Sequence, residues 1–288
     1  MARFLAVGHL LVEDVVLPDG ARALGQLGGD AVYAAIGARA FADDVQMVAR
    51  RGRGFPDDLV RGLEAAGLGE GLIPSEHETI RFFIEWGVED GARYTFQSGT
   101  YADATPSPGE IPESLAAGLD AVHIAPVPFA ELVPLVEWAR ARARIVTVDP
   151  HYEHMDEDWS GVLAQVDAFL PSRAEAESLL GGWPGAEEAA RRIDAPVVVI
   201  KLGREGSVGR RGDEIVRLPA AEADPVDSTG CGDAFCGGFL VGLAETDDLG
   251  AALARGTVAA GFVAEGHGAA HALRIDRGEA QRRLAALA

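Results

Sequence analysis

The sequence has little positive charge. It contains 25 Lys and Arg residues against 45 Asp and Glu residues, and its formal net charge at pH 7 is −20. Nucleic acids and anionic membranes attract proteins through clustered Lys and Arg side chains, whose binding releases counterions. The composition therefore argues against both as partners. If the ligand is a nucleotide, a local site must hold it.

Lysine and cysteine are scarce as well. Lys201 is the only lysine among the 25 cationic residues, a bias that we attribute to the base composition of the source genome. The two cysteines, Cys231 and Cys236, lie at the start of one predicted helix, where their side chains point to different sides. A disulfide between them is therefore not expected, which indicates a reducing compartment.

The sequence also lacks an apolar run that approaches the roughly 20 residues of a membrane span. Its start, MARFLAVGHL, leads directly into a strand pattern, without the charged, apolar and small-residue regions of a signal peptide. We therefore expect a cytoplasmic protein. A length of 288 residues with 48% hydrophobic composition is typical of one large α/β domain, with or without a small appendage.

The most informative stretch is 224–243, which reads DPVDSTGCGDAFCGGFLVGL. Within it, Phe235, Phe239 and Leu243 recur every four residues and predict a helix that begins inside the motif. The first N–H groups of a helix have no partner within it, and the helix dipole is positive at that end. The backbone at 230–232 can therefore present free donors to an anion such as phosphate.

Asp233 adds a carboxylate to this predicted anion site. A carboxylate is a poor choice for phosphate binding alone, because like charges repel, so its position indicates a base. Asp and Ser are also ordinary helix N-caps, and glycines are ordinary turn residues. From this motif alone, a structural role is an equal alternative.

Short apolar runs alternate with helical patterns along most of the chain. The predicted strands are 4–7, 10–17, 21–27, 45–49, 79–96 as a hairpin, 121–125, 145–149, 168–170, 197–202 and 207–218 as a hairpin. The predicted helices are 30–41, 56–66, 129–142, a helix or loop at 159–165, 174–180, 186–193, and most of the chain after 230. Loops are predicted at 50–54 and 100–112, and the turn of the second hairpin at Glu89, Asp90 and Gly91.

Repeated βα units imply a mostly parallel sheet covered by helices, with a ligand cleft at the carboxyl ends of its strands. Asp149 and the segments 171–175, 201–206 and 228–233 all fall at the ends of predicted strands or at helix starts that follow them. Because these positions converge on one edge of the sheet, their grouping favours function over capping for the motif.

The segment 227–233, DSTGCGD, resembles the DTxGAGD signature of the ribokinase-like (PfkB) carbohydrate kinases. Four further segments are similar in the same order: GG at 28–29 before a small-residue helix, VARRGRGFPDDLVRGLEAAGL, PSRAEAESL and VVVIKLGREGS. Five ordered segments are much more specific than one motif. The resemblance implies a single α/β domain over 1–288, a ribokinase-like three-layer sandwich with a mostly parallel central sheet. Hairpins near 10–27 and 79–96 would form its small β lid.

Carried over by position, the resemblance makes Asp233 the general base for the substrate hydroxyl, and Gly230, Cys231 and Gly232 the anion hole. It implies ATP as the phosphoryl donor. The nucleotide contacts that it implies are Lys201, Gly203, Gly206, Ser172 and Thr229. A solvated lysine and simple turn glycines are the alternatives in the segment 201–206.

The resemblance also implies two metal contacts. Glu175 matches the family glutamate that organises Mg²⁺, through water because Mg²⁺ keeps part of its hydration shell. The alternative for Glu175 is a first-turn residue that stabilises the helix dipole. Asp227 is implied at a monovalent-cation site or loop, and a turn aspartate is an equal alternative.

The implied substrate contacts lie early in the chain, at Glu13 or Asp14, Gly28, Gly29 and Tyr33. Glu13 and Asp14 both match a sugar-binding aspartate, depending on a one-residue choice of alignment. Tyr33 stands where the family usually has Asn. It can stack on a ring, donate a hydrogen bond, or simply fill the core.

The main hypothesis is an ATP-dependent kinase that phosphorylates a hydroxyl of a sugar or sugar-like polyol. A nucleoside kinase of the same family is the closest alternative, because Tyr33 can face a base. A non-catalytic sugar or nucleotide sensor is the third, because Tyr33 and Ser172 replace family asparagines. The histidines His123, His151 and His154 are interpreted as structural or substrate-lining. Exposed lid edges also allow a homodimer.

Overall fold

The computed structural model of the protein describes residues 2–88 and 91–287. Most strands that it contains are short and buried, which suits a sheet covered on both faces. The strands are β1 (Arg3–Val7), β2 (Leu11–Val16), β3 (Arg22–Gly28), β4 (Asp44–Arg53), β5 (Leu72–Glu78), β6 (Ile80–Val88), β7 (Gly91–Ser98), β8 (Leu119–Ile124), β9 (Ala143–Val148), β10 (Ala168–Phe169), β11 (Val197–Lys201), β12 (Ser207–Arg211) and β13 (Glu214–Leu218).

Helices connect most of these strands and close the chain. They are α1 (Asp30–Arg39), α2 (Asp57–Ala65), α3 (Tyr101–Ala104), α4 (Glu113–Ala116), α5 (Phe129–Arg140), α6 (Ser160–Leu163), α7 (Arg173–Leu180), α8 (Ala186–Arg192), α9 (Cys231–Thr246), α10 (Leu249–Ala264) and α11 (Arg277–Ala286).

The larger sheet has the strand order β13-β12-β11-β10-β9-β8-β1-β4-β5. Neighbouring strands from β11 to β5 pair in parallel. At the other edge of the sheet, β12 pairs antiparallel with both β11 and β13. One core, which includes residues of α1, α9 and α10, covers one face, and a second core with residues of α5 and α8 covers the other. This arrangement confirms the predicted α/β class with a mostly parallel sheet between two helical layers.

The smaller sheet has the order β3-β2-β6-β7 and fits the predicted lid. The two predicted hairpins form it together, because β2 pairs in parallel with β6 and places Glu13 opposite Phe82. The turn residues predicted at Glu89 and Asp90 lie outside the described residues.

Close packing of α9 against α1 fixes where α9 begins. A Cβ atom at Gly237 would lie 1.8 Å from the Ala34 carbonyl oxygen, and one at Gly37 would lie 2.0 Å from the Ala234 carbonyl oxygen. Any larger residue would push the two helices apart. The glycines therefore hold the start of α9 at a set position beside the sheet.

The sequence misjudges the region around β4. The loop predicted at 50–54 is wrong, because β4 continues to Arg53 and pairs with β5, a strand that was not predicted. Arg50 also forms a two-bond ion pair with Glu110, at 3.1 and 2.5 Å. Tertiary pairing thus overrides a composition rich in Arg and Gly. The predicted loop 100–112 likewise contains the short helix α3 and a 3₁₀ turn, Pro108–Glu110.

The structure bears on the cysteines and on membrane-spanning helices. Cys231 and Cys236 are free thiols, as the spacing predicts. Within 2–88 and 91–287, none of the helices has the length and apolar character needed to cross a membrane.

Candidate active site

Three elements meet at the carboxyl edge of the large sheet. Asp149 directly follows β9, Lys201 ends β11, and α9 begins at Cys231. The Lys201 ammonium is ion-paired with the Asp149 carboxylate. A Cβ atom at Gly232 would lie 3.7 Å from Lys201 Nζ. The structure thus brings the predicted anion hole and the predicted phosphate-binding lysine together.

The start of α9 offers backbone donors. Gly230 has a φ of +77°, in the left-handed region, and a Cβ atom there would lie 2.3 Å from the Tyr33 ring, so only glycine fits. The Cys231 N–H donates to the Ser228 carbonyl at 3.2 Å. Among the described residues, the amides of Gly232 and Asp233 have no backbone acceptor. These amides and the helix dipole can bind an anion.

Asp233 lies in the first turn of α9 and is partly exposed to the cleft. Burial raises the pKa of Asp233 well above its usual range, and the carboxylates of Asp30 and Asp149 raise it further. The Lys201 ammonium acts in the opposite direction. A carboxyl group held in this way is a stronger proton acceptor than an ordinary aspartate, which suits the predicted base.

Lys201, Asp149 and Cys236 form a buried polar cluster beneath the first turn of α9. Lys201 Nζ lies 3.7 Å from Cys236 Sγ, and Cys236 Sγ lies 3.4 Å from Asp149 Oδ2. Burial alone would lower the pKa of Lys201, but the Asp149 carboxylate raises it, so the ammonium stays charged. Asp149 Oδ1 is buried and has no hydrogen-bond partner in the described part of the chain.

Glu13, an acidic residue of lid strand β2, is connected to the motif through Tyr33. Its Oε2 atom accepts a hydrogen bond of 3.0 Å from the Tyr33 hydroxyl, and a Cβ atom at Gly28 would lie 2.0 Å from its carboxyl carbon. Burial raises the pKa of Glu13 to about 8, the Tyr33 hydrogen bond opposes the rise, and Asp227 adds to it. Gly28 thus provides the space that this carboxylate occupies.

The other predicted substrate residues lie in different surroundings. Asp14 is on the opposite face of β2 and accepts a hydrogen bond of 2.6 Å from the Gly25 N–H. Tyr33 is 1% exposed, which matches the alternative of a core aromatic. Gly29 has a φ of +116°, and a Cβ atom there would lie 2.4 Å from the His9 carbonyl oxygen. The geometry therefore favours Glu13 over Asp14, and a substrate contact for either stays a prediction.

A lid residue that the sequence did not indicate is hydrogen-bonded to the motif. Trp86 Nε1 donates to Thr229 Oγ1 at 3.1 Å, and this hydroxyl donates to Asp227 Oδ1 at 2.7 Å. Asp227 Oδ1 also accepts the Thr229 N–H at 2.9 Å, as a turn aspartate does. Asp227 Oδ2 is buried, accepts no hydrogen bond from the residues that the structure describes, and lies 3.7 Å from His267 Nδ1. A nucleotide contact of Thr229 and a cation role of Asp227 stay predictions.

Several residues predicted to contact the nucleotide or Mg²⁺ have structural roles in the fold. Ser172 and Glu175 form a capping box at the start of α7, in which Glu175 Oε2 accepts the Ser172 N–H at 2.6 Å. A Cβ atom at Gly206 would lie 2.0 Å from the Leu218 carbonyl oxygen, whereas Gly203 faces open space. No group of three or more His, Cys, Asp or Glu side chains in the described ranges is arranged to hold a metal. Contacts of Ser172, Gly203 and Gly206 with the nucleotide, and of Glu175 with Mg²⁺, stay predictions.

A polar chain at the back of the cleft was not predicted. His9 is fully buried, its Nδ1 lies 2.8 Å from Asp30 Oδ2, and its Nε2 lies 2.8 Å from Thr105 Oγ1. Asp30 Oδ1 accepts the His9 N–H at 2.5 Å. Of these residues, the sequence predicted only that Asp30 lies in the first turn of the helix after the GG pair. The contact to Thr105 joins segments that lie 96 positions apart.

Aromatic side chains of β6, β7 and α3 form a connected group with His151. Ring centroids are 4.4 Å apart for Phe82 and Phe96, 5.1 Å for Phe96 and Tyr101, and 4.6 Å for Tyr101 and His151. Tyr94 completes this group, which we call the aromatic wall, at 6.2 Å from Phe82. His151 is buried and packs against Tyr101, and its interpretation as structural or substrate-lining stays a prediction. No sequence motif marked the other four.

The wall lies close to the acidic groups of the site. Tyr94 is opposite Ile84 and Phe96 is opposite Phe82 in the β6–β7 pair, so both belong to the inner face of the lid. Partial burial raises the pKa of Tyr94 to about 12, and the carboxylates of Glu13 and Asp233 add to this rise. The aromatic wall is therefore within electrostatic range of Glu13 and Asp233.

Comparison with known proteins agrees with this geometry. A model of the pfkB family carbohydrate kinases matches residues 10–276. A cytidine kinase of Thermococcus kodakarensis is 29% identical over 258 residues, which cover 84% of this chain and 88% of that protein. Ribokinase from Giardia lamblia superposes with a TM-score of 0.81 at 20% identity, covering 100% of this chain and 99% of that one.

A further solved structure contains ligands of interest. A putative ribokinase II from E. coli in complex with ATP and Mg²⁺ superposes with a TM-score of 0.76 at 18% identity, covering 99% of this chain and 100% of that one. At these identities the structural likeness establishes the ribokinase-like fold. Because the family model spans nearly the whole chain, the chain belongs to the PfkB family of carbohydrate kinases, phosphotransferases with an alcohol group as acceptor.

Proposed function

We propose that this protein transfers the γ-phosphoryl group of ATP to a hydroxyl of a sugar ring or hydroxymethyl group, with Asp233 as the general base. The observation that carries the proposal is the meeting of Asp233, the free amides at the start of α9 and the Lys201 ammonium. Asp233 takes the proton of the substrate hydroxyl as its oxygen attacks the γ-phosphorus, and the bond from the γ-phosphorus to the β,γ-bridging oxygen breaks to release ADP. The free amides of Gly232 and Asp233 and the Lys201 ammonium stabilise the charge on the transferred group.

The proposed metal contacts are Glu175 for Mg²⁺ and Asp227 for a monovalent cation. Oxygen donors suit Mg²⁺, and one or two carboxylates suffice because phosphates and waters complete its shell. Glu175 Oε1, which makes no hydrogen bond to a described residue, would hold Mg²⁺ through water. When bound, the ion neutralises charge on the donor's phosphates. The buried Oδ2 of Asp227, which accepts no hydrogen bond from a described residue and lies 3.7 Å from His267 Nδ1, is the proposed contact of a monovalent cation.

For the acceptor, the aromatic wall favours a nucleoside over a free sugar or polyol. Tyr94 and Phe96 belong to the inner face of the lid yet are 56% and 43% exposed. The exposed parts of these two rings can stack on a planar base while the ribose hydroxyl meets Asp233. Stacking of a base on an aromatic side chain contributes about 1–3 kcal/mol. The likeness to a cytidine kinase supports the same choice.

A product assay across nucleosides, free sugars and polyols, with ATP and Mg²⁺, tests the acceptor class. We expect nucleoside monophosphates as products. Tyr94→Ala and Phe96→Ala should each lower kcat/KM for the nucleoside about 5- to 100-fold, mainly through KM, because stacking binds the ground state and the transition state alike. Leu24→Ala is the matched control, since Leu24 is an equally exposed apolar residue of the lid.

The other outcomes separate the alternatives. Phosphorylation of sugars or polyols but not nucleosides would contradict the role of the aromatic wall. The acceptor would then be a free sugar or polyol. Absence of any product across the panel, with ligand binding retained, would favour the non-catalytic sensor.

A further inference from the structure

Lys201 is unusual both in composition and in place. It is the only lysine in a chain whose other cationic residues are all arginine. Its side chain is 14% exposed, and the Asp149 carboxylate with which it pairs is 3% exposed. A lysine at a strand end is more often solvated. The single lysine of the chain is thus a largely buried cation.

The surroundings of Lys201 Nζ explain why arginine does not replace it. The ammonium lies between Asp149 Oδ2, Cys236 Sγ at 3.7 Å and the first turn of α9, where a Cβ atom at Gly232 would be 3.7 Å away. Guanidinium is planar, larger and carries five donors in a fixed fork. Such a group would press against Gly232 and leave buried donors unpaired. The compact ammonium fits without either penalty.

A count of donors indicates what the ammonium does. It has three N–H donors and no acceptor. Asp149 Oδ2 takes one donor, and Cys236 Sγ is a weak acceptor for the second. The third has no acceptor among the described residues, and the nearby Gly232 is exposed to the cleft. This free donor lies beside the amides that bind an anion.

We infer that Asp149 and Cys236 are positioning residues, which hold the Lys201 ammonium against the start of α9 so that it binds the terminal phosphate of the donor. The inference rests on the proposed function, because it assigns ATP to this site. Asp149 sets the direction of the ammonium by an ion pair, and Cys236 limits its movement from the side of the helix. Neither residue touches the phosphate.

Equilibrium binding of the non-hydrolysable analogue AMPPNP tests the inference without any acceptor. Lys201→Met, Lys201→Arg and Asp149→Asn should each weaken AMPPNP binding at least tenfold while changing ADP binding less, because ADP lacks the terminal phosphate. Cys236→Ala should have the same sign with a smaller effect. Asp167→Asn is the matched control, since Asp167 pairs with Arg140 at 2.7 Å near the amino end of β10 and should leave both affinities unchanged.

A double mutant separates positioning from direct binding and from folding. If Asp149 acts through Lys201, Asp149→Asn in the Lys201→Met background should add less than twofold to the loss of AMPPNP affinity. This double variant also removes the buried unpaired ammonium that could destabilise Asp149→Asn alone. Melting temperatures of all variants identify any that fail to fold. If Asp149→Asn alone does not fold, its effect on AMPPNP affinity is measured by comparing the double variant with Lys201→Met.

Three results would overturn the inference. The first is full AMPPNP affinity in Lys201→Arg, and the second is additive losses in the double mutant. The third is recovery of Asp149→Asn by higher Mg²⁺, which would assign Asp149 to the metal. These results are independent of the acceptor, so absence of a phosphorylated product would overturn the proposed function while the binding data still decide the role of Asp149.

Discussion

Asp233→Asn is expected to lower kcat by about 10²- to 10⁴-fold, the range that general acid–base catalysis contributes. Asn has nearly the same shape as Asp but cannot accept the acceptor's proton at working pH. The carboxylate also makes no capping hydrogen bond in the described structure, and Asn caps helices as well as Asp does. Nucleoside affinity should therefore change little, and the loss should appear in kcat. AMPPNP affinity and the melting temperature should stay the same or rise, because Asn removes a buried negative charge beside the phosphate site.

The control for this variant is Asp248→Asn. Asp248 caps α10 by accepting the Ala251 N–H at 2.7 Å, and it lies at the far end of α9 from the cleft. Both variants replace an Asp at the start of a helix by Asn, and only one does so in the site. Wild-type kcat in Asp233→Asn would return this residue to the structural role that its motif alone equally allows.

Glu13→Gln is expected to stabilise the fold at neutral pH while weakening the enzyme. The pKa of Glu13 is about 8 in the folded protein against 4.5 for the ordinary side chain, so the folded protein binds this proton more tightly than the unfolded chain. Its contribution to stability is therefore complete below pH 4.5 and is lost as the pH rises through 8. With 1.36 kcal/mol per pKa unit, the loss is on the order of 3 kcal/mol at pH 7.

Gln has no charge to bury and keeps an oxygen for the Tyr33 hydroxyl. The melting temperature of Glu13→Gln should thus exceed that of the wild type by several degrees at pH 8 and match it near pH 4.5. The value of kcat/KM for the acceptor should fall if the carboxylate holds a substrate hydroxyl. Asp14→Asn, on the partly exposed face of the same strand, should produce neither change. Equal stabilisation at both pH values would contradict the buried-charge explanation.

The local parts of the site could be predicted from the sequence. Gly230 and Gly232 beside an apolar repeat located the start of α9, because a helix start and its free amides depend on neighbouring residues. The mostly parallel sheet followed from the βα alternation in the same way. Glu13 was one of two candidates, and the structure favours it only because pairing of β2 with β3 and β6 buries Glu13 and leaves Asp14 on the other face.

The contacts that the sequence did not predict join distant segments. Asp149 and Lys201 are 52 positions apart, and Trp86 and Thr229 are 143 positions apart. No local periodicity encodes such pairs, which depend on the order of strands in the sheet and on how the lid lies against it. Tyr94 and Phe96 read as ordinary strand residues until the inner face of the lid was known. The substrate side of the site is for this reason less predictable than its chemistry.

The central claim is that Asp233 takes the proton from the acceptor, and the pH dependence of kcat/KM tests it most directly. Burial and the carboxylates of Asp30 and Asp149 raise the pKa of Asp233 above the ordinary 3.8, and a base loses activity as the pH falls through its pKa. We predict that wild-type activity rises with pH along a limb well above pH 3.8 and that Asp233→Asn lacks this limb. A flat wild-type profile, or an unchanged limb in Asp233→Asn, would contradict the claim.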